Sequence, residues 1–251
     1  DVFRFLHDIV SVGGGLEEAA RKRQGISKLR ALAARKFPDI VIRVELGGGN
    51  GDTWQYELAL GHDKQQRPQI KRESVLRNSD VLVSRPDNSD INDPERLTQT
   101  YLQQVNVNKE FRPVADAFAS IQYLHIVPQL IREPDRSVGR INDPYGGDFL
   151  EQVAATREQT LRARLRAISD ALRVAVPQLA ELELKRDARG VPHLRGRYVH
   201  WRPQGAWQTE DQFSDGTLRL LGLLWAILEG GGPLLLEEPE LSLHPEVVRF
   251  L

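Results

Sequence analysis

Close to the end of the sequence, three leucines run unbroken into two carboxylates: Leu234, Leu235, Leu236, Glu237, Glu238, then Pro239 and Glu240. An apolar run without alternation needs cover on both faces, which fits a strand in a parallel sheet better than one with a solvated face. Adjacent charges at the end of such a strand are costly unless they meet water, a cation or the surface. Ligands in α/β sheets lie beyond the carboxyl ends of the strands. The run therefore predicts a parallel α/β core whose acidic end faces either a ligand or an exposed turn.

The preceding segment has complementary chemistry. Phe213, Ser214, Asp215, Gly216 and Thr217 stand directly before an apolar helix expected over Leu218–Leu228. Ser214 can cap that helix, leaving its first backbone N–H groups directed toward an anion. Gly216 would let a phosphate approach the backbone closely. From these five residues alone an ordinary serine cap beside a glycine is the better reading.

Elsewhere the hydrophobic period changes along the chain. It predicts helices over Val2–Val10, stopped by Gly13–Gly15, and from Leu16 to about Ala34. Alternation over Ile40–Leu46 and Trp54–Leu60 predicts a hairpin, with further strands at Ile70–Leu76 and Val81–Val83. A polar turn region follows at Ser84–Glu95, then helices at Leu97–Leu102 and Pro113–Ser120, and a strand at Ile121–Val127 stopped by Pro128. One long helix is expected over Asp148–Val176, its arginines forming either a nucleic-acid ridge or a solvated surface. Leu182–Lys185 and Leu194–Val199 read as a strand pair.

Composition narrows the classes. With 251 residues, 40% apolar and 27% charged, the chain is long enough to bury a core as one domain, or as one domain with a sizeable insertion. A net charge of -1 gives no bulk field for nucleic acid, although a local basic patch remains compatible with it. No apolar run reaches the roughly 20 residues of a membrane span, and no secretory leader is visible, which favours the cytoplasm. Zero cysteines exclude disulfides and thiolate chemistry, and the six histidines are dispersed. Methionine is absent as well, which leaves a biased composition or omitted residues as explanations.

The two terminal segments together, Phe-Ser-Asp-Gly-Thr and Leu-Leu-Leu-Glu-Glu-Pro-Glu-Leu-Ser-Leu-His-Pro, closely resemble the AAA15/AAA21-type ATPases of the wider ABC, SMC, Rad50, RecF and OLD-like group. The likeness is specific in the last forty residues and diffuse elsewhere, with Asp1–Val10 similar to the helix that follows the phosphate loop. It implies an α/β fold, an ABC/SMC-type P-loop NTPase head with an antiparallel β region and a helical lobe. Residues 1–251 would then be one head: 1–83 the post-P-loop helix and β region, 84–176 a mainly helical lobe, and 177–251 the strand pair, signature helix and Walker B strand.

Carried over residue by residue, the resemblance implies that Ser214 and Gly216 contact the γ-phosphate held by a second head, with Asp215 and Thr217 shaping the loop. Glu237 would help hold hydrated Mg²⁺, and Glu238 would be the catalytic carboxylate that polarises the attacking water. His244 falls in the segment comparable to the dimer-contacting D-loop, where a core or cap role is equally open. ATP and Mg²⁺ are the implied cofactors. A second ATPase head, as a homodimer or higher oligomer, is the implied partner, with an effector protein or DNA as further candidates and no membrane.

Departures from the pattern matter. No Gly-x-x-x-x-Gly-Lys-[Ser/Thr] occurs, and Gly47–Gly51 lacks the lysine and hydroxyl of a phosphate cradle. That loop is expected before Asp1 and the switch histidine beyond Leu251, so these residues alone should bind ATP poorly. Gln55 and Gln69, near the hairpin, are candidates for the Q-loop glutamine, and neither is assigned. The alternative is a degenerate ATPase-like scaffold or interaction module without catalysis.

Overall fold

The computed structural model describes residues 2–29, 39–48, 51–133, 143–199, 206–243 and 245. They form two compact units that divide the chain between Ile121 and Gln122.

In the first unit, helix α1 (Val2–Val10) buries Phe5, Leu6 and Ile9. Beyond its end the chain packs back on the helix at Gly14, where a Cβ would lie 2.1 Å from the Asp8 carbonyl oxygen. The expected second helix is broken into α2 (Leu16–Arg21) and α3 (Ile26–Leu29), separated by the left-handed residues Gln24 and Gly25. Its expected end, residues 30–34, lies outside the described residues.

The hairpin extends to a four-stranded antiparallel meander: β1 (Ile40–Gly47), β2 (Thr53–His62), β3 (Pro68–Arg77) and β4 (Asp80–Arg85), in that order. Gln55 and Gln69 sit on β2 and β3. Tyr56, Leu58 and Leu60 from β2 are buried, and the Tyr56 ring meets Phe118 of α5 (Arg112–Ala119) edge-on at 5.6 Å. The polar region after β4 contains a short helix, α4 (Asn88–Asn92), which Asp87 and Asp90 close with a reciprocal capping box.

A buried ion cluster organises this end of the sheet. All five N–H donors of Arg85 are engaged: Nε and Nη2 bind the Asp90 carboxylate, Nη1 binds Glu73 at 2.9 Å, and the carbonyls of Arg96 and Gln99 take the remaining two. The guanidinium also lies 3.8 Å from the Tyr101 ring centroid. Glu73 accepts in addition from the backbone N–H groups of Tyr101 and Leu102. Those bonds explain why the helix expected at Leu97–Leu102 does not form. A 3₁₀ turn at Pro94–Thr98 replaces it, and the following amides turn toward Glu73 rather than toward helical carbonyls.

In the second unit, β5 (Gln122–Leu124) pairs in parallel with β9 (Leu234–Leu236), matching Gln122 to Leu234 and Leu124 to Leu236. The strand is shorter than expected, and Pro128 starts a helix, α6 (Pro128–Arg132), where its fixed φ suits the first turn. The long helix expected over 148–176 is two helices, α7 (Phe149–Ala155) and α8 (Glu158–Leu172), with Thr156 and Arg157 extended between them. In an unbroken helix, at 3.6 residues per turn, Leu165 would point about 120° away from Val153. The break lets both enter one core, where each is buried.

The expected strand pair is a three-stranded antiparallel sheet, β6 (Leu179–Arg186), β7 (Pro192–Tyr198) and β8 (Ala206–Thr209). Helix α9 (Asp215–Glu229) lays Leu218, Leu221 and Trp225 into the same core, with Trp225 edge-on to Phe149 at 6.2 Å. Among the described residues no helix is long and apolar enough to cross a membrane. The fold is a mixed α/β arrangement of helices with antiparallel and parallel strand pairing.

The Arg85 cluster yields a stability prediction. Arg85→Leu leaves the buried Glu73 carboxylate without a cation and Asp90 with only the half-exposed Arg96, at 3.1 Å, and should cost about 3–5 kcal/mol in urea unfolding. The Arg85 guanidinium, as the largest cause, holds Asp90 down at about 2 against an ordinary 3.8. Asp90 therefore stabilises the fold above about pH 4 and loses that contribution as pH falls toward 2. Burial pushes Glu73 upward instead, so its carboxyl opposes the trend. An Asp90→Asn variant should lose the Asp90 share of acid sensitivity between pH 4 and 2, read as a flatter profile of unfolding midpoint against pH.

Candidate functional site

The site is assembled in the second unit from the N-terminus of α9 and the residues that follow β9. Ser214 is the N-cap of α9, and its Oγ accepts from the Thr217 backbone N–H at 3.2 Å while lying 2.8 Å from the Thr217 hydroxyl. The cap expected from the sequence is present. With Thr217 satisfied, the N–H groups of Asp215 and Gly216 in the first turn have no intrahelical acceptor. Ser214 is exposed, Asp215 half-buried, and Gly216 and Thr217 buried.

Gly216 is crowded by the chain itself. A Cβ there would stand 2.5 Å from the Ser242 carbonyl oxygen and 3.3 Å from the Leu243 side chain. Glycine is therefore required by the close approach of the turn after β9, a constraint that five residues of sequence could not reveal. This contact joins the two halves of the site.

The acidic end of β9 is accessible. Leu234 and Leu235 are half-buried and Leu236 is 41% exposed, so the leucine run is parallel-paired but less buried than an unbroken apolar strand predicts. The reason is that β5 is the single strand paired with β9 among the described residues. Glu237 and Glu238 are both exposed, and no side chain among the described residues pairs with either carboxylate. The Glu237 backbone is held instead: its N–H donates to Leu124 O at 3.2 Å, and its carbonyl lies 3.3 Å from His125 Nδ1. At Glu238 the backbone turns into the left-handed region, φ 48°, and the Leu241 N–H closes the turn onto the Glu238 carbonyl at 3.1 Å. His244 lies outside the described residues.

Two contributors have no local sequence signal. His125 follows β5 and stacks edge-on with Tyr145 at 6.0 Å. Arg132, the last residue of α6, donates from Nη2 to the Phe213 carbonyl at 2.6 Å and pairs with Asp215 at 2.7 Å. Arg132 and Phe213 are 81 residues apart in sequence, so no spacing pattern connects them.

The chemistry of the donor set suits a hydrated cation and an anion. Among the described residues no cluster of three or more His, Asp or Glu side chains could hold a metal ion by itself. Two unpaired carboxylates at a strand end nevertheless fit Mg²⁺, which usually keeps several waters and takes one or two protein carboxylates together with substrate phosphates. Glu237 and Glu238 are the oxygen donors available for that role.

The mixed α/β fold is consistent with a nucleotide-binding domain of the AAA type. A family profile described as "AAA domain, putative AbiEii toxin, Type IV TA system" matches residues 1–251, and the chain belongs to this AAA21 family. Membership points to nucleotide-binding ATPase activity, and AAA ATPase domains generally bind nucleotide with Mg²⁺. No curated protein matches the chain.

Gly216→Ala should force the 238–242 turn to move, at a cost of about 1–3 kcal/mol for overpacking. Ser214→Ala should cost about 1 kcal/mol through the lost cap. Thermal unfolding of the two variants checks both values, with the larger loss expected at Gly216.

Proposed function

We propose that residues 1–251 belong to an ABC/SMC-type ATPase head that, in the complete protein, hydrolyses ATP as it closes on a second head and so controls a partner or effector. The observation carrying this reading is the pair of unpartnered carboxylates, Glu237 and Glu238, at the end of a parallel strand beside a capped helix N-terminus. Bound Mg–ATP supplies the γ-phosphoryl group and a cation that offsets its charge. Glu237 would help hold that cation, and Glu238 would orient a water and take its proton as it attacks the γ-phosphorus, the bond to the β-phosphate oxygen breaking to release ADP.

The N-terminus of α9 acts across the dimer. The Ser214 hydroxyl and the free first-turn N–H groups donate toward the phosphate bound by the other head, where the helix dipole favours negative charge. Asp215 and Thr217 shape this loop, and Gly216 allows the post-β9 turn to pack beneath it. His244 belongs to the dimer-contacting segment. No phosphate-loop motif occurs within the 251 residues, and the setting is cytoplasmic. The family description names a toxin–antitoxin system, which favours a defence role over DNA repair.

In full-length protein, Glu238→Gln should retain ATP binding and lower turnover at least about 100-fold, as expected for loss of a general base. Unchanged steady-state phosphate release would remove the mechanism and leave a non-catalytic scaffold as the better reading. Ser214→Arg should block ATP-dependent dimerisation in sedimentation, while ATP binding by each chain persists.

A further inference from the structure

Arg132 holds the loop before α9 by two bonds that straddle Ser214. Its Nη2 donates to the Phe213 carbonyl at 2.6 Å on one side and pairs with the Asp215 carboxylate at 2.7 Å on the other. Its side chain is 22% exposed, against 41% for Asp215, so the pair is partly withdrawn from solvent. Phe213 is fixed from the opposite direction: its ring is buried and lies edge-on to Tyr198 at 6.3 Å. Ring, carbonyl and following carboxylate are thus all anchored around one exposed serine.

The charge arrangement gives Arg132 a second task. Asp215 occupies the first turn of α9, where an anion arriving at the helix N-terminus would meet another negative charge. Like charges a few ångströms apart repel substantially in a closed interface, where water is excluded. The Arg132 guanidinium offsets the Asp215 charge and also draws the carboxylate to one side. We infer that Arg132 is a positioning residue for head engagement: it holds Phe213–Asp215 in the shape and charge balance that admits the partner's triphosphate. The inference rests on the head-to-head reading of the site.

In full-length protein, Arg132→Ala should lower kcat about 10- to 100-fold, the range expected for a lost charged hydrogen bond. The Kd for a fluorescent ATP analogue should stay within about twofold, because the chain's own nucleotide contacts are made elsewhere. Arg132→Lys, which keeps the charge, should recover part of the turnover. Asp215→Asn in the Arg132→Ala background should also recover part, since it removes the uncompensated charge.

Mixing separates positioning from folding. Arg132→Ala chains mixed with Glu238→Gln chains should regain turnover, because each mixed dimer then contains one site with an intact Glu238 facing an intact loop. Wild-type kcat in Arg132→Ala, or lost turnover recovered neither by mixing nor by Arg132→Lys, would overturn the inference. Turnover retained by Glu238→Gln alone would instead overturn the reading of the site, and the inference with it.

Discussion

Burial of one face of α9 is the interaction on which the candidate site depends. Leu218 and Leu221 are fully buried and Trp225 nearly so, within a core shared with α7, α8 and the β6–β8 sheet. Each such side chain contributes about 1.5–3 kcal/mol relative to exposure. Those contacts fix the helix axis, and the axis fixes where its N-terminus opens. Ser214 can then cap the helix from the surface while Gly216 and Thr217 stay beneath it.

The second half of the site is held by backbone rather than by side chains. Parallel pairing with β5 carries Leu234–Leu236 to a definite end, and the bonds from Leu124 and His125 to Glu237 continue that hold one residue further. Neither carboxylate is paired with a side chain among the described residues. A buried ion pair at this position would have used their charge for structure, as the Glu73–Arg85–Asp90 cluster does in the first unit. The two groups differ in their surroundings: Glu73 and Asp90 are buried with every oxygen bonded, whereas Glu237 and Glu238 are exposed and, among the described residues, unpaired.

Close approach links these halves. The Ser242 carbonyl sits where a side chain on residue 216 would be, so a shift of the turn after β9 would be felt at the N-terminus of α9. Arg132 adds a third element, tying the segment after β5 to the same loop. Strand end, turn and cap are therefore mechanically joined within one unit.

Much of this was legible in residue order. The 213–217 segment announced a cap, which the structure contains, and the leucine run announced a parallel strand, which pairs with β5. Both signals are local, because capping involves neighbouring backbone and strand patterning reflects immediate cover. Tertiary structure decided the rest. The 148–176 helix splits because two apolar stripes out of phase must reach one core, and the 97–102 helix yields to Glu73 because a buried carboxylate competes for its amides. The leucine strand is less covered than its composition implies, since pairing partners are chosen by the fold. Arg132 and the need for glycine at 216 were invisible for the same reason: each depends on a residue brought near from far along the chain, and local sequence carries no record of distance in space.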